Sequence, residues 1–373
     1  MTMALPPKLL NRIPAIVGKK RSSVDSGPIG LDISSSGIRL VQFIKNNNRI
    51  ELNASVLVPV SEEARVASKQ CRAIIRKALR KHGFTGREVV TCLPPDDVKI
   101  MMISYLHKPG KQDEELIVQR IAERVEDDIN NYVIDFMMVR PQVKDGQERS
   151  VLVAMAKRDK VLTYLEYLRK SGLQVKALEI ESTAIRRLVL VKHGHENKAN
   201  LMTVSMGHAQ TYITVLSGRR LIYERDVNFG EKQLMASLCK ELDLDEFEAR
   251  TLLVSEETKL AADISEDQQC LSATDAVYSV LKPLFMELVE DINRALVYAA
   301  SETRGMPVEH VYLTNLVATW RGIEHFIDSL IEVPVSVLRP FAGFNHPHLL
   351  EMEFDPRGAV AAGMALHGLT EAG

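Results

Sequence analysis

The chain is poor in cysteine, has no long apolar run and carries almost no net charge. Its four cysteines, Cys71, Cys92, Cys239 and Cys270, lie far apart and form no C-x-x-C pair. That spacing fits a reducing compartment, with each thiol read as a small buried hydrophobe. No apolar stretch approaches the roughly 18–20 residues of a membrane span, and no signal-peptide core is evident. The formal charge is −2 over 373 residues, with a pI of about 6.6, so nothing calls for nucleic acid as a partner. A Gly-x-Ser-x-Gly elbow is missing, which leaves a hydrolase unsupported. His193-x-His195 and His346-x-His348 have no third ligand at helical spacing and read as loop histidines rather than metal pairs.

What the chain does have is an ordinary globular composition, 46% hydrophobic and 26% charged, and enough length for two or more domains. Residues 1–27 stand apart. They carry Lys8, Arg12, Lys19, Lys20 and Arg21 against Asp25 alone. Leu5, Leu9, Leu10, Ile13, Ile16 and Val17 fall near a helical period, interrupted by Pro14. Two readings stand: a flexible basic tail, or an amphipathic contact with an anionic membrane surface.

The densest information lies in Gly30-Leu31-Asp32-Ile33-Ser34-Ser35-Ser36-Gly37-Ile38-Arg39. An apolar strand ends in an aspartate, a turn of small residues follows, and a second alternating strand begins. Such a turn leaves backbone N–H groups free to face an anion, and a strand-end aspartate can hold hydrated Mg²⁺. Asp32 as a turn-capping carboxylate is the competing reading. Strands are expected at 28–33, 38–44 and 50–58, then a helix over 62–82. Further strands are expected at 88–93, 98–106, 133–139, 150–156 and 175–180. Helices over 112–129 and 159–171 fall between them, and Ser182 is the expected cap of a helix over 183–192.

From Leu201 the opening pattern recurs. A strand over 201–205 leads into Met206-Gly207-His208-Ala209-Gln210-Thr211, then strands over 212–216 and 221–226. A unit used twice, with a small-residue turn in each copy, predicts a duplicated α/β architecture. Helices over 232–257 and 274–303 follow. The second shows Val277, Val280, Leu281, Leu284, Phe285, Leu288, Val289, Ile292 and Leu296 at i, i+3, i+4, i+7 spacing. Strands at 311–314 and 335–338, a helix over 322–331 and a final Ala/Gly-rich helix over 357–366 complete the pattern.

These motifs, taken in order, resemble the type IV pilus assembly protein PilM family of the actin-like ATPase superfamily. The first turn carries the likeness most strongly. Phe229-Gly230-Glu231-Lys232, Leu152–Lys157 and the ending Ala361-Ala362-Gly363-Met364-Ala365-Leu366 extend it over residues 28–369. The resemblance implies an actin-like, ribonuclease H-like duplicated two-lobed α/β fold. Residues 28–86, completed by about 335–373, would form the first lobe, and 87–177 an inserted SHS2-type (1C) domain. Residues 178–230 with 305–334 would form the second-lobe core, and 231–304 a mainly helical subdomain. It also implies an ATP/Mg²⁺ site of Asp32, Ser34, Ser35, Ser36, Gly37, Arg39, Gly207, Gln210, Thr211, Gly230 and Glu231, with Asp32 holding Mg²⁺ through water. The implied partner is the cytoplasmic N-terminal tail of a PilN-like bitopic membrane protein, with pilus motor or platform proteins beyond it, at the cytoplasmic face of the inner membrane.

Two departures weaken the catalytic side of that expectation. Ser205 stands where the family's second phosphate turn begins with aspartate, so a carboxylate that would organise metal and water is missing. Leu313-Thr314-Asn315-Leu316 stands where the adenosine motif has paired glycines, and Leu316 would intrude on a nucleotide. A scaffold that binds ATP weakly or not at all, without useful hydrolysis, is therefore expected. An active ATPase or small-molecule kinase, and an FtsA-like membrane-tethered filament protein, are the alternatives. The acidic run Glu123, Glu126, Asp127, Asp128 reads as a solvated helix face or as a dock for a basic peptide. Trp320 reads as a core anchor.

Overall fold

The computed structural model describes residues 2–3, 25–34, 37–46, 49–60, 69–108, 110, 112–139, 148–194, 198–254, 273–345 and 355–369. Cys270, His195, His346, His348, Ser35, Ser36 and the basic stretch 4–24 lie outside the described residues. The chain divides into two compact units. The first comprises Met1–Lys192, Phe341–Glu353 and Val360–Gly373; the second comprises His193–Pro340 and Phe354–Ala359.

The strands of the first unit are β1 (Thr2–Met3), β2 (Asp25–Ser34), β3 (Gly37–Asn46), β4 (Arg49–Val58), β5 (Glu88–Cys92), β6 (Val98–Leu106), β7 (Tyr132–Met138), β8 (Glu148–Lys157) and β9 (Gln174–Glu179). They form two sheets, a six-stranded one in the order β1-β9-β5-β2-β3-β4 and a three-stranded one in the order β6-β8-β7. Strands β2 and β3 form the central hairpin, and Ile29, Leu31, Leu40, Val41 and Phe43 are fully buried. Burial is continuous along most of β3 and takes in the polar Arg39 and Gln42 as well as its apolar residues. The helices are α1 (Lys69–Lys81), α2 (Asp113–Ala122), α3 (Arg158–Lys170) and α4 (Glu181–His193). Helix α2 covers one face of the three-stranded sheet through Leu116, Ile117 and Ile121, which pack on Ile103, Tyr105, Val151 and Val153.

The second unit holds β10 (Asn200–Met206), β11 (Thr211–Ser217), β12 (Arg220–Val227), β13 (His310–Thr314) and β14 (Val335–Val337), in the order β12-β11-β10-β13-β14. Its helices are α5 (Glu231–Leu242), α6 (Glu246–Val254), α7 (Ala273–Glu302) and α8 (Ile323–Asp328). The last helix, α9 (Ala359–Ala365), belongs mainly to the first unit. Strands β4-β3-β2-β5-β9 repeat the order and sense of β12-β11-β10-β13-β14. In each, an antiparallel meander is followed by two parallel neighbours. This is the duplication expected from the recurring motif.

Several local expectations change. The helix expected over 232–257 is broken at Asp243, which takes φ 53° and ends α5. A reciprocal cap then starts α6: the Asp245 amide donates to Glu248 Oε2 at 2.9 Å, and the Glu248 amide donates to Asp245 Oδ1 at 2.8 Å. Ser182 lies inside α4 rather than capping it, because the Thr183 and Ala184 amides bond the Ile180 carbonyl. Helix α2 stops at Ala122, short of the expected 129, so the acidic run lies beyond it. Strands β5 and β9, expected within the insertion 87–177, pair in the six-stranded sheet; the inserted sheet therefore lies within 93–173. Residues 335–340, expected to complete the first lobe, sit in the second unit, where β14 pairs with β13. Trp320 is 6% exposed within the second unit's core.

A buried charge cluster ties α9 to the sheet. Arg187 donates to both oxygens of Glu179, at 2.9 and 2.6 Å, and to the Gly363 carbonyl at 2.8 Å. His367 Nδ1 lies 2.7 Å from Glu179 Oε1. Burial pushes the Glu179 carboxyl up, but hydrogen bonds from His367 and Arg187 outweigh it, and the net direction is down from 4.5. The ionised cluster therefore stabilises the fold above pH 4.5, and that contribution is lost as pH falls through the lower folded value. Wild type should accordingly lose stability more steeply below pH 4.5 than Glu179→Gln, as read from urea midpoints against pH. Parallel slopes would contradict this.

Candidate functional site: two small-residue turns

The first turn joins β2 to β3. Register places Ile33 opposite Ile38 and Ser34 opposite Gly37, so Asp32 falls directly opposite Arg39. Arg39 is fully buried and Asp32 is 7% exposed. Arg39 Nη1 donates to Asp32 Oδ2 at 3.0 Å and to Ser34 Oγ at 2.9 Å. Burial holds the Asp32 carboxyl above its ordinary range, and Arg39 opposes that rise without cancelling it. Gly37 has φ 133°, and a side chain there would press on the Val58 carbonyl at 2.6 Å. Four of the six residues expected in this turn are thus brought together. Ser35 and Ser36 lie outside the described residues.

The second turn joins β10 to β11 and packs on the start of α5. The Gly207 amide donates to the Gln210 carbonyl at 3.0 Å, closing the turn. The Glu231 and Lys232 amides, first in α5, donate to the Gly207 and His208 carbonyls at 3.0 and 2.8 Å. Helix N-terminal amides that would otherwise attract an anion are therefore used by the turn itself. Gly230 fits only without a side chain, since a Cβ would lie 2.5 Å from the His208 carbonyl oxygen. Thr211 Oγ1 donates to the Phe229 carbonyl at 2.8 Å, and Tyr212 donates to Gln210 Oε1 at 3.2 Å. Glu231 is buried, with His208 Nδ1 3.2 Å from one oxygen and Arg250 Nη1 donating to the other at 3.0 Å.

Ser205 is the penultimate residue of β10, and its hydroxyl accepts from Asn315 Nδ2 at 3.3 Å. Asn315 is left-handed, with φ 74°. Thr314 donates to the Pro356 carbonyl at 2.9 Å, and Leu316 is buried, 7% exposed. Sequence reasoning missed Arg250 and Asn315 as partners of this turn. Asn315 carried a usable signal, because asparagine is among the few residues that tolerate the left-handed region.

Among the described residues, no group of three or more His, Cys, Asp or Glu could hold a metal ion, and no helix is long and apolar enough to cross a membrane.

A sheet built twice in the same strand order, with a tight small-residue turn at the first hairpin of each copy, defines a protein of the actin-like ATPase fold. Solved structures share it. The PilM-PilN type IV pilus biogenesis complex matches with a TM-score of 0.74 at 22% identity, covering 92% of this chain and 99% of that one. The ethanolamine utilization protein EutJ from Carboxydothermus hydrogenoformans matches with a TM-score of 0.52 at 14% identity, covering 92% and 90%. The family model for type IV pilus assembly protein PilM matches residues 30–369, and the chain belongs to that family.

Proposed function

We propose that this chain is a non-catalytic scaffold of a type IV pilus machine. It would lie at the cytoplasmic face of the inner membrane and bind the tail of a PilN-like bitopic protein, with the SHS2-type insertion as part of the docking surface. Membership of the PilM family supports the pilus role. The solved PilM-PilN complex supports a partner of that kind.

One observation carries the non-catalytic reading: the Asp32 carboxylate is committed to buried Arg39. A water-bridged Mg²⁺ needs a carboxylate with charge to spare, and this one is already neutralised by an internal cation. The second turn agrees, because its carbonyls take the first α5 amides and Ser205 offers no charge. The residues present do not fit an Mg·ATP site. Calorimetry with Mg²⁺ and ATP should show no binding at millimolar nucleotide for wild type or Asp32→Asn. Micromolar binding lost in Asp32→Asn would overturn this reading and favour an ATPase or kinase.

A further inference from the structure

We propose that the solvent face of α1 docks on an anionic lipid bilayer. From residue 64 to residue 87 the sequence has eight Lys or Arg and no Asp or Glu. Six of them, Lys69, Arg72, Arg76, Lys77, Arg80 and Lys81, fall on α1, a helix of 13 residues. Cys71, Ile75, Ala78 and Leu79 are buried and hold the helix on the first unit. The opposite half belongs to the cations. Lys69, Arg76, Lys77, Arg80 and Lys81 are exposed and Arg72 is half-buried, with only Gln70 and Ala73 exposed among them.

Helix stability does not account for this arrangement. Arg72–Arg76, Arg76–Arg80 and Lys77–Lys81 are like-charge pairs at i, i+4 spacing, and such pairs weaken a helix. Neighbouring elements do little to neutralise the face. Arg169 and Lys170, at the end of α3, share the single carboxylate of Glu166. The next acid in the sequence, Glu88, pairs with Lys176. Arg76 donates to the Lys170 carbonyl, a neutral partner. A negative surface brought from outside relieves the repulsion.

The chemistry of the face selects the partner. The centre of a protein interface is rich in aromatic residues and poor in lysine. Helix α1 has no aromatic residue, and its exposed face has no apolar residue larger than Ala73. Single-stranded nucleic acid is gripped by stacking on aromatic rings, which α1 cannot offer. A bilayer asks only for cations spread over a surface, and a half-cylinder about 20 Å long lies flat against one. The choice of a bilayer also rests on the scaffold reading, which puts the chain at a membrane face. Each Lys or Arg near an anionic surface strengthens attachment about fivefold, and salt weakens it. The contact is therefore reversible, and it fixes which side of the first unit faces the lipid.

The test is co-sedimentation of full-length proteins with vesicles, either of phosphatidylethanolamine with phosphatidylglycerol or of phosphatidylcholine alone. One variant carries Lys77→Gln, Arg80→Gln and Lys81→Gln, which keeps good helix formers on the surface. A second exchanges the same cations, Lys77→Arg, Arg80→Lys and Lys81→Arg. Wild type should bind the phosphatidylglycerol vesicles, leave them at high salt and ignore phosphatidylcholine. The glutamine variant should bind about a hundredfold more weakly, and the exchange variant like wild type. Both results should hold when Lys19, Lys20 and Arg21 are also changed to Gln, which separates α1 from the basic stretch before β2. Equal binding by wild type and the glutamine variant, or no binding to phosphatidylglycerol vesicles, would overturn the inference. Tighter binding to duplex DNA at the same phosphate concentration would overturn it too. A PilN-like tail peptide that fails to bind in solution would count against the scaffold reading and leave the vesicle result untouched.

Discussion

Replacing Arg39 with methionine will destabilise the first unit by about 3–5 kcal/mol at neutral pH. The guanidinium is fully buried, 3.0 Å from the Asp32 carboxylate and 2.9 Å from the Ser34 hydroxyl. Methionine keeps much of the volume, so the loss is electrostatic rather than a cavity. It leaves a buried carboxylate without its cation, and removing one partner of a buried pair costs far more than the intact pair contributes. The Asp32 carboxyl is already held above 3.8 by burial, against the pull of Arg39, and without Arg39 it rises further. The sign of the pH dependence follows. In the variant the folded state keeps a proton that the unfolded state has released, so stability falls as pH rises from 3.8 through the folded value. The penalty should thus shrink on acidification, and Asp32→Asn with Arg39→Met should recover most of it at pH 7. Urea unfolding followed by circular dichroism at several pH values measures all three proteins. A loss below about 1 kcal/mol for Arg39→Met would mean that Asp32 finds other compensation, water or an ion, and would reopen the metal reading.

Much of the fold was legible because its elements are local. The hairpin of β2 and β3, the strand–turn–strand recurrence from Leu201 and the long apolar stripe of α7 depend on periodicity within one segment. Sheet order was not legible, even with the likeness to a known family: β5 and β9 were expected within the insertion, yet they return to the first sheet across it, and no local pattern marks that crossover. The candidate turns divide along the same line. Asp32, Ser34, Gly37 and Arg39 were readable as one group, yet their internal pairing depends on register. A two-residue connection at 35–36 already implies that register, so the Asp32–Arg39 pair was available to hairpin geometry. Glu179, Arg187 and His367 were not, since they converge from β9, α4 and the segment after α9. Long-range pairing of charges leaves no trace in spacing. The Asp243 break was missed for a different reason: an apolar pattern continues past it, and aspartate ends α5 by taking a left-handed conformation usually left to glycine.

Gly363→Ala provides the sharpest contest between local propensity and packing. Gly363 lies inside α9, and alanine in a helix interior is normally better than glycine by about 1 kcal/mol. Propensity alone therefore predicts a more stable protein. Packing predicts the reverse, because a Cβ on Gly363 would collide with the backbone carbonyl of Ala184 in α4. The same helix presses on β2, where a Cβ on Gly30 would strike the Ala361 carbonyl and the Ala365 amide. Ala359, Ala361, Ala362 and Ala365 are fully buried, so the helix has no room to retreat. Backbone cannot rotate aside as a side-chain tip can, and the expected loss for Gly363→Ala or Gly30→Ala is more than about 3 kcal/mol, at the high end of overpacking. Gly83→Ala is the control. Gly83 has φ 76° with open space around it, so its variant should lose only about 1–2 kcal/mol of left-handed strain. Denaturant midpoints rank the three. If Gly363→Ala matches or exceeds wild type, α9 does not sit directly on the backbones of α4 and β2, and the Glu179–Arg187–His367 cluster would alone hold it there.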